Sequence, residues 1–155
     1  MVTFTFAPSP PRPAMLALSP LLYAERRLRR AMHAAALIIF AGIVIAGSVP
    51  GARAEVGEFA SGLVLHSLAY AALATLWFLG STGSGLQRAL KAVLAIALMG
   101  AFDECVQHFL PYRSGTVHDW LVDVSAATVA ATVLAVLLAR VPMPHALRAA
   151  PERAR

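Results

Sequence analysis

Two long runs of this chain, residues 31–52 and 59–80, contain no Asp, Glu, Lys or Arg. A helix rises about 1.5 Å per residue, so roughly 20 apolar residues cross the ~30 Å hydrocarbon core of a bilayer. The composition, 59% hydrophobic and 14% charged, is more apolar and less charged than that of soluble domains. We therefore predict an all-α integral membrane protein.

Four transmembrane helices account for the pattern of apolar runs. The expected spans are about 31–49, 59–80, 90–110 and 117–139, within a membrane domain of residues 31–141. Pro111 ends the third span, because proline cannot continue a helix. Two acids near the end of that span require that its polar face meets protein or water rather than lipid. No segment repeats another, so an internally duplicated transporter fold has no support.

The two ends of the chain have a different composition. Residues 1–30 are rich in proline and arginine and are predicted to be a flexible tail, and residues 142–155 form a second, basic tail. Two alternatives stay open. A translation start at Met15 or Met32 would remove part of the first tail, and Ala52-Arg53-Ala54 after an apolar run also fits a signal-peptide cleavage site.

The basic residues predict the orientation. Four spans place both termini and the 81–91 loop on one side, and all 13 basic residues except Arg53 and Arg113 lie on that side. By the positive-inside rule both termini are cytoplasmic, in a multi-pass protein of the bacterial inner membrane. This distribution accounts for the net charge of +5 without nucleic acid, so we predict no nucleic-acid partner. The oligomeric state stays open.

Polar side chains of spans two, three and four fall at similar depths near the outer face. At 100° per residue those of span three share an arc of about 100°, and those of the other two spans are i, i+4 pairs. An acid facing lipid at mid-membrane costs roughly 2.5–3.5 kcal/mol, which favours a shared, outward-facing polar cavity. Its predicted members are His66, Tyr70, Asp103, Glu104, Gln107, Arg113, Asp119 and Asp123.

These residues also carry a resemblance to a known family. The ordered pattern D-E-x-x-Q…P-x-R-x-G…D resembles that of the VanZ-like family, and it is formed by Asp103, Glu104, Gln107, Pro111, Arg113, Gly115, Asp119 and Asp123. Ser48-Val49-Pro50 and His66-Ser-Leu-Ala-Tyr70 resemble the family's upstream motif, so the likeness covers about residues 35–138.

The resemblance implies a small polytopic bacterial membrane protein. The founding member is linked to reduced sensitivity to teicoplanin, a lipid-bearing glycopeptide antibiotic, and no settled enzymatic mechanism comes with the family. This chain departs from many relatives, because Gly62 and Leu63 stand where they carry an Asp-Lys pair, and Asp123 stands where they often have Asn. Arg113 is then the sole candidate cation of the cavity.

Several functions fit such a cavity. A binding module would capture a membrane lipid headgroup, a lipid-linked envelope precursor or an amphiphilic drug. A membrane-embedded hydrolase or transferase would use one acid and one base of the cluster, with His66 or His118 relaying protons, although we assign no catalytic residue. A purely structural network and, with less support, a proton-coupled carrier are the remaining alternatives.

Metal and cysteine chemistry are weakly indicated. A divalent ion on Asp103, Glu104 and Asp119 is an alternative, since hard cations take carboxylate oxygens, but no cofactor or metal motif is present and we assign neither. The lone Cys105 is expected to be a buried free thiol.

Overall fold

The computed structural model describes residues 25–50, 62–113 and 115–141, and within them the chain is all helical, without a strand. The four helices are α1 (Arg26–Gly47), α2 (Gly62–Gly80), α3 (Gly85–His108) and α4 (Val117–Arg140). The all-α prediction is confirmed. Most of both predicted tails and the Ala52–Ala54 sequence lie outside the described residues.

Three helices, α1, α2 and α4, are long and apolar enough to cross a membrane, which makes this a multi-pass membrane protein. Their outer surfaces are apolar: Ile38, Leu68 and Val129 have exposed fractions of 72%, 66% and 65%. Such surfaces are costly in water and suit lipid. The remaining helix, α3, carries two cations near its start and two acids near its end.

The helix ends differ from the expected spans by a few residues. Helix α1 begins at Arg26, before the expected start at Ala31, because arginine is a good helix former and the helix continues past its apolar run. Helix α3 begins after Ser84, which caps it reciprocally with Gln87: the Gln87 N–H donates to Ser84 Oγ (3.3 Å), and the Ser84 N–H donates to Gln87 Oε1 (2.9 Å).

Helix α4 packs on both α2 and α3, and α1 packs mainly on α2. Small residues occupy the contact faces, with Ala74, Ala92, Ala127 and Ala131 fully buried. Because apolar side chains gain little by leaving lipid for protein, helices in membranes associate through close van der Waals packing. Small side chains allow that approach, and it brings the polar faces of α2, α3 and α4 together.

The connection between α3 and α4 folds back over the end of α3. Gly115 lies so close to the Glu104 carbonyl oxygen that a Cβ would contact it. The next residue, Thr116, donates its backbone N–H to Glu104 Oε2 (2.5 Å). On the same loop, the Tyr112 hydroxyl donates to the carbonyl of Ser48, just after α1 (2.5 Å). The loop is thus held against two helices.

Replacing Gly115 with alanine is expected to destabilise the fold. The added methyl group meets the Glu104 backbone and pushes Thr116 away from its acceptor, and such overpacking costs typically about 1–3 kcal/mol. We expect a lower Tm for G115A in detergent. The matched control is G42A, because no atom beyond the adjacent residues and the backbone of its own helix lies within 4 Å of the Cβ position there, and alanine favours the helix. Equal Tm values for the two variants would contradict the close approach.

Candidate functional site

Two hydrogen bonds join α2 to its neighbours through polar side chains. The Tyr70 hydroxyl donates to Asp103 Oδ2 on α3 over 3.0 Å. His66 Nδ1 lies 3.0 Å from Asp123 Oδ1 on α4, so that the imidazole N–H donates to the carboxylate. We name the group formed by these residues and their polar neighbours the polar cluster: His66, Tyr70, Asp103, Glu104, Gln107, Arg113 and Asp123.

The cluster faces the inside of the bundle. The exposed fractions of Asp103, Gln107 and Asp123 are 1%, 2% and 0%. Gly100 makes room for Asp123, since a Cβ on Gly100 would lie 3.1 Å from Asp123 Oδ2. The carboxylates of Asp103 and Asp123 therefore do not face acyl chains, and α4 approaches α3 closely at this level.

Stacking fixes the orientation of His66. Its ring lies nearly parallel to that of Tyr70, four residues later on the same face of α2, with centroids 5.9 Å apart and an interplanar angle of 10°. The imidazole is 16% exposed, and one nitrogen is held by Asp123. The stacked pair presents two polar groups to two different helices.

At the loop end of the cluster, the single cation pairs with an amide. Arg113 Nη2 donates to Gln107 Oε1 over 2.5 Å. Glu104 Oε2 accepts the Thr116 backbone N–H. In the described part of the chain, the ion pairs are His66 with Asp123 and His118 with Asp119. The Arg113 guanidinium therefore forms no ion pair with a carboxylate of the cluster.

Three buried polar atoms of the cluster have no hydrogen-bond partner among the described residues: Glu104 Oε1, Asp123 Oδ2 and Arg113 Nε. Buried polar atoms in proteins nearly always have a partner, so each exception calls for an explanation. Two of these atoms are acceptors and one is a donor. The cluster can therefore satisfy a ligand that carries groups of both kinds.

Two residues considered from the sequence lie at the edge. The Asp119 side chain is 25% exposed, and its Oδ1 is 3.6 Å from Nδ1 of His118, which is itself 76% exposed. The Asp119 backbone N–H donates to Thr116 Oγ1 (3.1 Å), a cap of α4. The expectation for Cys105 is wrong: its thiol is free but exposed, because it lies on the outer side of α3.

Two cavities lie on the helices that carry the cluster, and one of them reaches a member of it. An apolar groove of about 560 Å³ runs between α2 and α4, and its lining includes Leu63, Leu68, Leu121 and Val129. A second cavity, of about 390 Å³, lies between the ends of α3 and α4, and Glu104 and Trp120 line it. Glu104 is thus reachable from outside the bundle.

A metal ion could be held by three residues of the cluster. One imidazole nitrogen of His66 and one carboxylate oxygen each of Glu104 and Asp123 lie within 4.8 Å of one another. This set differs from Asp103, Glu104 and Asp119, which the sequence left open. Asp103 and Asp119 are not members of this set, and Asp119 lies at the edge of the cluster.

Sequence reasoning missed three contributions to the site. Nothing in the sequence marked Gly100 as a site residue except its small size. Nothing marked the Thr116 backbone N–H except its position in a loop. Trp120 donates its indole N–H to the Ala97 carbonyl on α3 (2.9 Å). This bond fixes the first turn of α4 against α3.

The VanZ/LLP1 family model matches residues 1–139, which include every member of the polar cluster. No curated protein and no solved structure matches the chain. The ordered acidic motif, the membrane-length helices and this match agree. The chain belongs to the VanZ-like family.

Proposed function

We propose that this protein crosses the bacterial inner membrane four times, with both termini in the cytoplasm, and that its polar cluster binds the headgroup of a membrane lipid or of a lipid-linked envelope compound. An amphiphilic glycopeptide-type compound has the same combination of polar and apolar parts. The observation that carries the proposal is the set of buried atoms without partners, Arg113 Nε with Glu104 Oε1 and Asp123 Oδ2.

One donor and two acceptors suit a headgroup that itself carries both hydrogen-bond acceptors and donors. An arginine binds phosphate or carboxylate oxygens through directed N–H groups, and Arg113 is held in place by Gln107. Carboxylate oxygens accept from hydroxyl, amide or ammonium groups. A phosphodiester bearing a sugar or an amine offers both, whereas a purely apolar ligand would leave all three atoms unsatisfied.

The apolar groove supports an amphiphile rather than a free headgroup. It lies between α2 and α4, the two helices that carry His66 and Asp123. Leucine, valine and alanine side chains make up most of its wall, so an acyl chain can lie there as it does in lipid. A ligand with its tail in lipid or in this groove presents its headgroup at the depth of the cluster.

The contacts of α3 support its role as the remaining span. Of its two acids, Asp103 is inside the bundle and only 1% exposed, which removes most of the cost of placing that carboxylate at membrane depth. Its cations reach back to the turn before the helix: Arg88 Nε donates to the Gly83 carbonyl (3.0 Å), and Lys91 Nζ donates to the Thr82 carbonyl (2.9 Å). Such snorkelling keeps charge at the interface.

A membrane-embedded hydrolase or transferase is the second candidate. The observation that favours it is the His66–Asp123 pair, because a carboxylate on one imidazole nitrogen orients the ring and supports its action as a base. Purified protein that turns over envelope lipids, with or without Mg²⁺, would favour this class, and absence of turnover would leave binding as the function.

Thiol labelling tests the proposed topology. In a Cys105→Ser background, Phe109→Cys at the α3–α4 end and Thr82→Cys in the α2–α3 turn place single thiols at opposite ends of α3, both on exposed residues. We expect a membrane-impermeant maleimide to label Phe109→Cys in intact spheroplasts and Thr82→Cys only after lysis. Labelling of both thiols before lysis would place the two ends of α3 on one side and contradict the proposal.

Lipid analysis tests headgroup binding. Protein extracted in mild detergent should be enriched in one headgroup class, and Arg113→Gln should lower that enrichment about tenfold or more, the value of one hydrogen bond to a charged group. Arg140→Gln is the matched control, since it removes an exposed arginine at the opposite end of α4. Equal lipid profiles for the two variants would contradict the proposal.

A further inference from the structure

We infer that the polar cluster is a binding site for a divalent transition-metal ion, with Zn²⁺ the best-matched ion and His66, Glu104 and Asp123 as its ligands. The inference goes beyond headgroup binding and does not depend on it, because all three donor atoms belong to the protein.

The geometry brings one donor from each of three helices to one point. His66 lies on α2, Glu104 on α3 and Asp123 on α4, and their donor atoms are within 4.8 Å of one another. Around a tetrahedral Zn²⁺, with bonds of ~2.0–2.2 Å, donors are ~3.3–3.6 Å apart. His66 Nδ1 and Asp123 Oδ1, at 3.0 Å, are already at about that separation. Zn²⁺ would replace the proton between these two atoms, His66 would bind as the Nε2–H tautomer, and the flexible Glu104 side chain can close the remaining difference.

The unpaired carboxylate oxygens are an independent indication. Asp123 is 0% exposed, its Oδ2 has no partner among the described residues, and Glu104 Oε1 is also buried without one. Burying an ionised carboxylate is costly unless a cation or hydrogen bonds compensate. The hydrogen bond of Arg113 goes to neutral Gln107. A dication between Glu104 and Asp123 would supply the missing compensation.

The donor types select the kind of ion. Sites made of carboxylates alone favour Mg²⁺ or Ca²⁺, whereas an imidazole shifts the preference towards Zn²⁺ and its neighbours in the first transition row. Three protein ligands leave a fourth position of Zn²⁺ open. The cavity beside Glu104, of about 390 Å³, gives an oxygen ligand a route to that position. An anionic oxygen of a bound headgroup is the kind of ligand it would accept.

Metal analysis of the full chain tests the inference. The protein is purified with a tag free of histidine, stripped with a chelator, reloaded with Zn²⁺ and passed through a desalting column. Elemental mass spectrometry and a Zn²⁺ titration followed by Tm then report stoichiometry and affinity. We expect about one Zn²⁺ per chain and a Tm that rises on loading, as for an ion that binds the folded state.

Three carboxylate-to-amide variants make the test specific. Glu104→Gln and Asp123→Asn keep the size of the side chain and one acceptor oxygen but remove the negative charge and one ligand oxygen, and each should weaken Zn²⁺ binding at least about tenfold. Asp119→Asn, one turn before Asp123 on α4, is the matched control and should bind as the wild type does. If Asp123→Asn does not fold, Glu104→Gln alone decides the matter. The inference is overturned if the wild type retains no Zn²⁺ after reloading, or if Glu104→Gln binds Zn²⁺ with unchanged stoichiometry and affinity.

Discussion

The bundle depends on a constraint that acts on α2: its polar side chains have no water at membrane depth and must find partners on other helices. Tyr70 meets Asp103 on α3, and His66 meets Asp123 on α4. These two bonds set the rotation of α2 about its axis and its height relative to two neighbours. Alanine-rich faces then let the helices approach. Rotating any of the three helices would turn a carboxylate or an imidazole towards lipid.

The same arrangement leaves the cluster with unequal numbers of donors and acceptors. Asp103 Oδ2 accepts from a neutral hydroxyl, Glu104 Oε2 accepts from a backbone N–H, and Arg113 Nη2 donates to an amide oxygen. A network built only for helix packing would be expected to satisfy its buried atoms. Unsatisfied oxygens on Glu104 and Asp123 fit a site that is completed by something else. A headgroup and a metal ion are compatible occupants, because an ion with an open coordination position can itself hold an anionic oxygen.

The fold was largely predictable, because uncharged runs of membrane length and proline positions constrain helices strongly. The four helices and the convergence of α2, α3 and α4 follow from that reasoning, and His66, Tyr70, Asp103 and Asp123 do meet. The start of α1 at Arg26 did not follow, since helical propensity extends beyond the apolar run. Asp119 shows the limit of i, i+4 reasoning, because the first turn of a helix lies at the rim and its side chain turns outward to His118. Helical periodicity also cannot predict that a loop residue such as Gly115 lies against α3.

The most direct measurement is a double-mutant cycle on His66 and Asp123, each replaced by alanine singly and together, with the free energy of unfolding measured in a lipid-like environment. If the two side chains pair inside the bundle, the cycle should give a coupling free energy of about 0.6 kcal/mol, the average for hydrogen bonds between membrane helices, and at most about 1.7 kcal/mol. The pair of His118 and Asp119, of which His118 is exposed, should give a coupling near zero. Strictly additive effects of His66→Ala and Asp123→Ala would contradict the cluster on which the fold and both proposals rest.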